Sequence, residues 1–352
     1  MPFDLAHQRN PHHLALSRRR FITILGGLAA SGLACDWLGR PQPALGMEAV
    51  GMQYVERTGR ALGSMISRTV LHPHRTNAEK AIANAFAQLD QVDQLMSIYR
   101  PDSQVSQLNR SASLPNPHPW VLEVLRKAQS MSQQSAGAFD ITVQPLWDLY
   151  AGAQKQATLP DPAAIQAALA KVNWSKLQVT ADRVSLPAGM SVTLNGIAQG
   201  YAADRAASTL RKHGIQHALI NTGEIGAIGR RTDGQQWTVG IQHPRSKDAY
   251  VALARLEGRF MATSGDYGTT FSDDRKHNHI FDPASGHSPE VFSSVTVVAN
   301  TGAEADALST AVFVLGHEKG LQLIENTPGV EALLVLKDGR VRATRAFPSV
   351  NL

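Results

Sequence analysis

Several short stretches carry side chains whose types and spacing could do chemistry. Ala305-Asp306-Ala307-Leu308-Ser309-Thr310 sets a carboxylate and a hydroxyl four residues apart. On a helix that spacing puts both on one face. Such an all-oxygen pair suits a hard cation such as Mg2+, which takes few protein ligands and keeps water or phosphate for the rest. The pair equally fits an acid favoured by a helix N-terminus beside a threonine in the core. His277 and His279 stand two apart in an extended stretch, so they point to the same side. No third soft ligand lies nearby. One histidine acting as acid, base or hydrogen-bond donor is therefore favoured over zinc. Met261-Ala-Thr-Ser-Gly-Asp266-Tyr267 follows an extended run and reads as a polar loop or a solvated turn.

Three more segments could receive a ligand. In Ser191–Asp204 a strand meets a turn at Asn195-Gly196, and a helix begins after Gly200. Amides at such a helix start can receive phosphate oxygens, although the spacing is not the dinucleotide-binding one. A plain strand–helix turn explains it as well. Ser135-Ala-Gly-Ala138-Phe139-Asp140 and Met96-Ser-Ile-Tyr99-Arg-Pro-Asp-Ser103 could be helix terminations, or Phe139 and Tyr99 could flank a flat ring.

The elements that position these segments are legible from periodicity. Ile82, Phe86, Leu89, Val92 and Leu95 predict a helix over 77–99 that stops near Pro101. Further helices are predicted over 119–132, from Asp161-Pro162 through Val172, from Gln199 to a glycine cap at Gly214, and over 304–315. Strands are predicted at 217–221, 237–242, 250–256, 259–263 and 293–299, with a closing hairpin of 333–336 and 341–344 around Asp338-Gly339. Helices cluster early and strands later, without βα alternation. That order favours an α+β fold with mixed or antiparallel sheets and flanking helices, in a two-lobed body with a central cleft.

Composition excludes several classes. The 352 residues are 43% hydrophobic and 18% charged, a globular balance. The formal charge of +5 is partly carried by residues 1–46. Without them 29 basic and 27 acidic groups remain, so nothing global points to nucleic acid. The single cysteine, Cys35, leaves residues 47–352 with no disulfide and no cysteine-based zinc site. Ser17-Arg18-Arg19-Arg20-Phe21-Ile22 opens an apolar run to Ala34, the order of an export signal and similar to a twin-arginine leader. The chain is expected to be periplasmic, with 1–46 as leader and 47–352 as the functional domain. Lipid anchoring at Cys35 is the weaker option, because Gly32 stands where a larger apolar residue is usual.

Taken in order, MSIYRPDSQVSQLN, GAFDITVQPLW, GIAQGYAAD, NTGEIGAIG, ATSGDY, HNHIFDPASG and ADALSTAVFVLG resemble the ApbE family of FAD:protein FMN transferases. The resemblance runs from about Arg60 to Gly316. The leader and the TLNGIAQG stretch look most like the NosX branch, which serves flavinylation of a membrane regulator in nitrous oxide respiration. The resemblance implies FAD as substrate, Mg2+ as cofactor, and an acceptor flavoprotein with a Ser or Thr attachment site, membrane-associated. It implies that Asp306 and Thr310 bind Mg2+ through side chains and Ala198 through its carbonyl. Leu62, Tyr99, Ala138, Phe139, Asp140 and Ile280 or Phe281 would line the FAD site. His279 would be the acid–base group, with Asp266 beside it as a second candidate.

Thr193 and Gln199 depart from the family pattern, where many members carry Asp and Lys or Glu, and Leu62 replaces a usual Met. These positions bear on FAD contact. Two other activities fit the same residues: hydrolysis of FAD to FMN and AMP, and flavin carriage without catalysis.

Overall fold

The computed structural model describes Leu16–Ser17, residues 51–61 and residues 64–350. The rest of the leader, Cys35 and Leu62 lie outside the described residues. Fourteen strands are described: β1 (Leu16–Ser17), β2 (Gln53–Ala61), β3 (Ser64–His72), β4 (Ser113–Pro115), β5 (Gln178–Val179), β6 (Arg183–Ser185), β7 (His217–Asn221), β8 (Ile225–Ile228), β9 (Trp237–His243), β10 (Ser246–Leu256), β11 (Phe260–Gly265), β12 (Phe292–Ala299), β13 (Glu331–Leu336) and β14 (Val341–Ala343). The α-helices are α1 (Arg75–Met96), α2 (Gln104–Ser111), α3 (Pro119–Gln134), α4 (Gln144–Gln154), α5 (Pro162–Leu169), α6 (Ala198–Lys212) and α7 (Gly302–Glu325).

Eight strands form the main sheet in the order β14-β13-β12-β11-β8-β7-β3-β2, and every described pairing is antiparallel. Smaller sheets are β1-β10-β9 and β4-β6-β5. The α+β expectation stands. All eight residues of β12 are buried, as a central strand covered on both faces requires.

Helices α1, α3, α6 and α7 carry the large core, with α3 burying Val121, Leu122, Val124, Leu125, Ala128 and Met131. Helix α1 buries Ala78, Ala81, Ile82, Ala85, Leu89, Val92 and Met96, a stripe at three- and four-residue spacing. Helix α6 buries Ala202, Ala203, Ala206, Ala207 and Leu210, and its small side chains let neighbouring helices come close. Each large side chain buried this way contributes about 1.5–3 kcal/mol. Helix α7 changes direction at Gly316, whose φ of 76° suits glycine. The helix expected over 304–315 is thus its first limb. A second, aromatic cluster contains Leu146, Tyr150, Ile165, Phe271 and Phe281. Ile280 joins the main core while Phe281 joins the aromatic one, so the chain runs between the two just after His279.

Candidate active site

Helices α6 and α7 approach at two glycines. A Cβ on Gly200 would stand 2.0 Å from the carbonyl oxygen of Gly302, and one on Gly302 would stand 2.3 Å from that of Gly200. Only glycine permits that distance. The contact lets each helix send a carboxylate to the start of the other. Asp204 of α6 accepts from the Gly302 and Ala303 amides at 2.6 and 3.0 Å. Asp306 of α7 accepts from the Gly200 amide at 3.0 Å through Oδ2. No described residue donates to its Oδ1.

Asp306 is 5% exposed, and burial is the main force pushing its carboxyl up to about 7. The Gly200 amide opposes the shift and the Asp204 charge adds to it. Glu224, on the turn before β8, is buried beside it. Burial and the Asp306 charge hold the Glu224 carboxyl well above the usual range, against one hydrogen bond from the Thr263 amide at 3.2 Å. Among the described residues, neither acid has an ion-pair partner.

Thr310 lies one turn beyond Asp306. A Cβ on Gly196 would stand 3.1 Å from Thr310 Oγ1 and 3.4 Å from the Phe139 ring. The stretch 196–200 therefore passes close to Thr310 at one end and is hydrogen-bonded to Asp306 at the other, with Ala198 between them. This brings the three residues expected to hold Mg2+ into one place. Among the described residues no three His, Cys, Asp or Glu side chains converge as a metal cluster. The donors here are a half-filled carboxylate, a hydroxyl and a main-chain carbonyl. They fit magnesium, which shares its shell with water and phosphate, and they do not fit a soft metal.

His279 sits on the loop after β11. Its Nδ1 lies 3.3 Å from the Thr269 amide and 3.2 Å from the Thr269 carbonyl oxygen, and Nε2 has no described partner. Burial lowers its pKa, while the Thr269 backbone and the Asp266 charge oppose the shift. A neutral ring at pH 7 can take a proton. Doing so at Nε2 requires the tautomer with its proton on Nδ1, donated to Thr269.

Residues 62–334 match the ApbE family. The chain belongs to the ApbE family. It is 32% identical over 299 residues to an FAD:protein FMN transferase of Salmonella typhimurium, covering 80% of this chain and 84% of that one. The apo crystal structure of the Pseudomonas stutzeri flavinyl transferase ApbE is similar at a TM-score of 0.73 and 31% identity, over 85% of this chain and 97% of that one. The ApbE protein of Thermotoga maritima is similar at 0.74 and 28% identity, over 83% and 97%.

Asp266 is the second acid–base candidate. It is fully buried, and Arg245 grips both oxygens at 2.6 and 2.7 Å while Lys337 reaches Oδ2 at 2.5 Å. Both of its oxygens are thus taken up by cations. Asp266 ties the β9–β10 and β13–β14 turns to the loop that carries His279. Asp140 also faces inward: it accepts from the Thr142 amide and hydroxyl at 2.7 and 2.6 Å and from the Trp174 amide at 3.0 Å. It braces the 139–142 loop rather than presenting free oxygens. Ile280 and Phe281 are core side chains, at 6% and 3% exposure.

Tyr99 is the opposite case. It is 68% exposed, with its ring edge-on to Trp147 at 6.4 Å, and offers a free aromatic face. Ala138 borders a cavity of about 740 Å³ with Asp282, Val314 and Lys319. Thr193 is half-buried, and its amide bonds the Ile141 carbonyl at 2.8 Å. Gln199 packs on Gly223, and its carbonyl accepts from the Thr222 hydroxyl at 3.1 Å. The structure brings Thr193 and Gln199 to the two ends of the turn that carries Ala198. Sequence reasoning missed Asp204, Glu224, Arg245 and Lys337. One signal was present: Gly-x-x-x-Asp occurs at 200–204 and again at 302–306.

Proposed function

We propose that this chain transfers FMN from FAD to a Ser or Thr hydroxyl of an acceptor protein, with AMP as the other product. The observation that supports it most is Asp306: a buried carboxylate with one unclaimed oxygen, beside Thr310 and the 196–200 turn. Belonging to the ApbE family, with relatives named for this reaction, supports the reaction class.

In this reading the FAD pyrophosphate lies at the start of α6. The acceptor oxygen forms a bond to the FMN-side phosphorus, and the bond from that phosphorus to the AMP phosphate oxygen breaks. AMP leaves with its electron pair, and the hydroxyl proton passes to Nε2 of His279. Magnesium held by Asp306, Thr310 and the Ala198 carbonyl would neutralise charge on the pyrophosphate oxygens. Asp266 keeps the His279 loop in place through Arg245 and Lys337. The chain's own work is positioning, which is most of what phosphoryl transfer needs.

The test is incubation with FAD, Mg2+ and a protein bearing a candidate Ser or Thr site, followed by intact mass. The expected result is a gain of one FMN, lost when magnesium is removed. FMN and AMP appearing with the acceptor unmodified would instead make the chain a pyrophosphatase. An exported location belongs to the same reading and rests on the Arg18-Arg19-Arg20-Phe21 leader. The acceptor would then be a membrane-associated protein such as a regulator of nitrous oxide respiration. Fractionation of cells carrying the chain with Arg19 and Arg20 changed to Lys reads that part, and unchanged export counts against it.

A further inference from the structure

Three hydroxyls meet where β11 touches α7. Ser264 Oγ lies 2.7 Å from Ser309 Oγ and 3.1 Å from Thr310 Oγ1. Ser309 Oγ also lies 2.9 Å from the main-chain carbonyl oxygen of Asp306. Each hydroxyl has one proton and two lone pairs. A carbonyl only accepts, so Ser309 donates its proton to Asp306 and must accept from Ser264. That uses the one proton of Ser264, which must then accept from Thr310. The direction is fixed along the whole chain: Thr310 to Ser264 to Ser309 to Asp306.

We propose that this relay turns the Thr310 proton inward and leaves both its lone pairs free for a divalent cation, with Ser264 and Ser309 as positioning residues. The proposal rests on Asp306 and Thr310 being the metal-holding pair. A freely rotating threonine hydroxyl could equally donate to a phosphate oxygen. With its proton committed to Ser264, Thr310 can only accept, which suits a cation and disfavours direct contact with an anion. The relay ends on the carbonyl of Asp306, so the other proposed ligand anchors the group that orients the first. Successive hydroxyls of one polarity also reinforce one another. Nothing in the family-wide expectation for Asp306, Thr310 and Ala198 requires this arrangement of serines.

The test reads cation binding without turnover. Mn2+ is titrated into the full chain, with free ion followed by electron paramagnetic resonance. Ser264→Ala and Ser309→Ala are each expected to weaken binding by about 3–10-fold, the worth of one neutral hydrogen bond. Ser264→Thr keeps the hydroxyl and is expected to bind as the unaltered chain does. The sharper readout is the double variant. If the effect of Ser309 passes through Ser264, Ser264→Ala with Ser309→Ala binds no more weakly than Ser264→Ala alone. Additive losses, or unchanged binding by Ser309→Ala, overturn the relay. Should Ser264→Ala fail to fold, Ser309→Ala still decides, because it removes the acceptor that fixes Ser264. Asp306→Asn and Thr310→Val separate the two levels. If they abolish binding while the serine variants bind normally, the relay alone fails; if they bind normally, or the unaltered chain binds no Mn2+, the metal reading fails with it.

Discussion

Asp204 and Asp306 are made by the same device and end in different states. Each follows a close-contact glycine by four residues, and each reaches the first turn of the partner helix. Asp204 binds two amides, one on each oxygen, and is finished as a cap. Asp306 binds one amide and keeps an oxygen open, next to a second buried acid, Glu224. The repeated device is filled once and left half-filled once, and that difference separates the two copies. The difference teaches where stability ends and chemistry begins in this crossing. Asp204 holds the helices together, and in the proposed reading Asp306 uses the geometry so gained.

The hardest blow to the comparison is at the shared contact. In Gly200→Ala the new methyl would meet main-chain atoms, which cannot swing aside. The helices must separate, at about 1–3 kcal/mol or more for an overpacked core. Both halves should suffer. The melting temperature falls, and FMN transfer by the folded fraction falls roughly 100-fold, as a displacement of about 1 Å can cause. A variant with normal melting and normal transfer would show that the close approach positions nothing. Next come two substitutions of equal size. If Asp306 holds the cation as proposed, Asp306→Asn should cut transfer by at least about 100-fold, since the cation is worth several kcal/mol. Its melting temperature should hold or rise, because a desolvated acid is gone. Asp204→Asn should do the reverse, keeping most activity but costing about 1–3 kcal/mol, because one helix-start amide then faces an NH2 group. If both variants lose activity alike with no loss of stability, the contrast is wrong.

Much of the frame was legible because periodicity reports burial. The stripe from Ile82 to Leu95 gave α1, and Asp161-Pro162 gave the start of α5, whose Asp161 side chain does accept from the Ala164 amide at 2.8 Å. The β2–β3 hairpin was not legible. Its sequence alternates charged and apolar residues weakly, and it carries Arg68, which is fully buried over the Phe86 ring at 4.1 Å. A buried arginine breaks the apolar pattern that reveals a strand. Helix α4 was hidden by Gly152 and a proline at its start. At the site, the helical spacing of Asp306 and Thr310 held, and what surrounds them did not show. Asp204, Glu224 and Ser264 come from other elements: the Gly200–Gly302 contact brings in Asp204, and the packing of β11 against α7 and β8 brings in Ser264 and Glu224. The surroundings of Asp266 did not show for a related reason: Arg245 and Lys337 arrive from distant hairpins.

The gentlest test uses pH, and its two halves have opposite signs. Burial lifts the Asp306 carboxyl to about 7, against roughly 3.9 for an unfolded aspartate. Between those values the folded chain keeps a proton that the unfolded chain has released. The stability tied to that proton is complete below about pH 4 and is lost as pH rises to about 7. The raised carboxyls of Asp204 and Glu224 push the same way. Metal-free protein should therefore melt a few degrees lower at pH 8 than at pH 5.5, by the linkage relation. The proposed cation binding runs against this slope, since it needs the carboxylate. Added Mg2+ should raise the melting temperature more at pH 8 than at pH 6, because a ligand that binds only the folded state stabilises in proportion to its occupancy. Asp306→Asn should flatten the metal-free slope and erase the Mg2+ increment. Asp204→Asn should keep the increment and most of its pH dependence, since burial and not the Asp204 charge is the larger cause of the Asp306 shift. An increment equal at both pH values, or one that survives in Asp306→Asn, places the cation elsewhere and leaves Asp306 a second cap like the first.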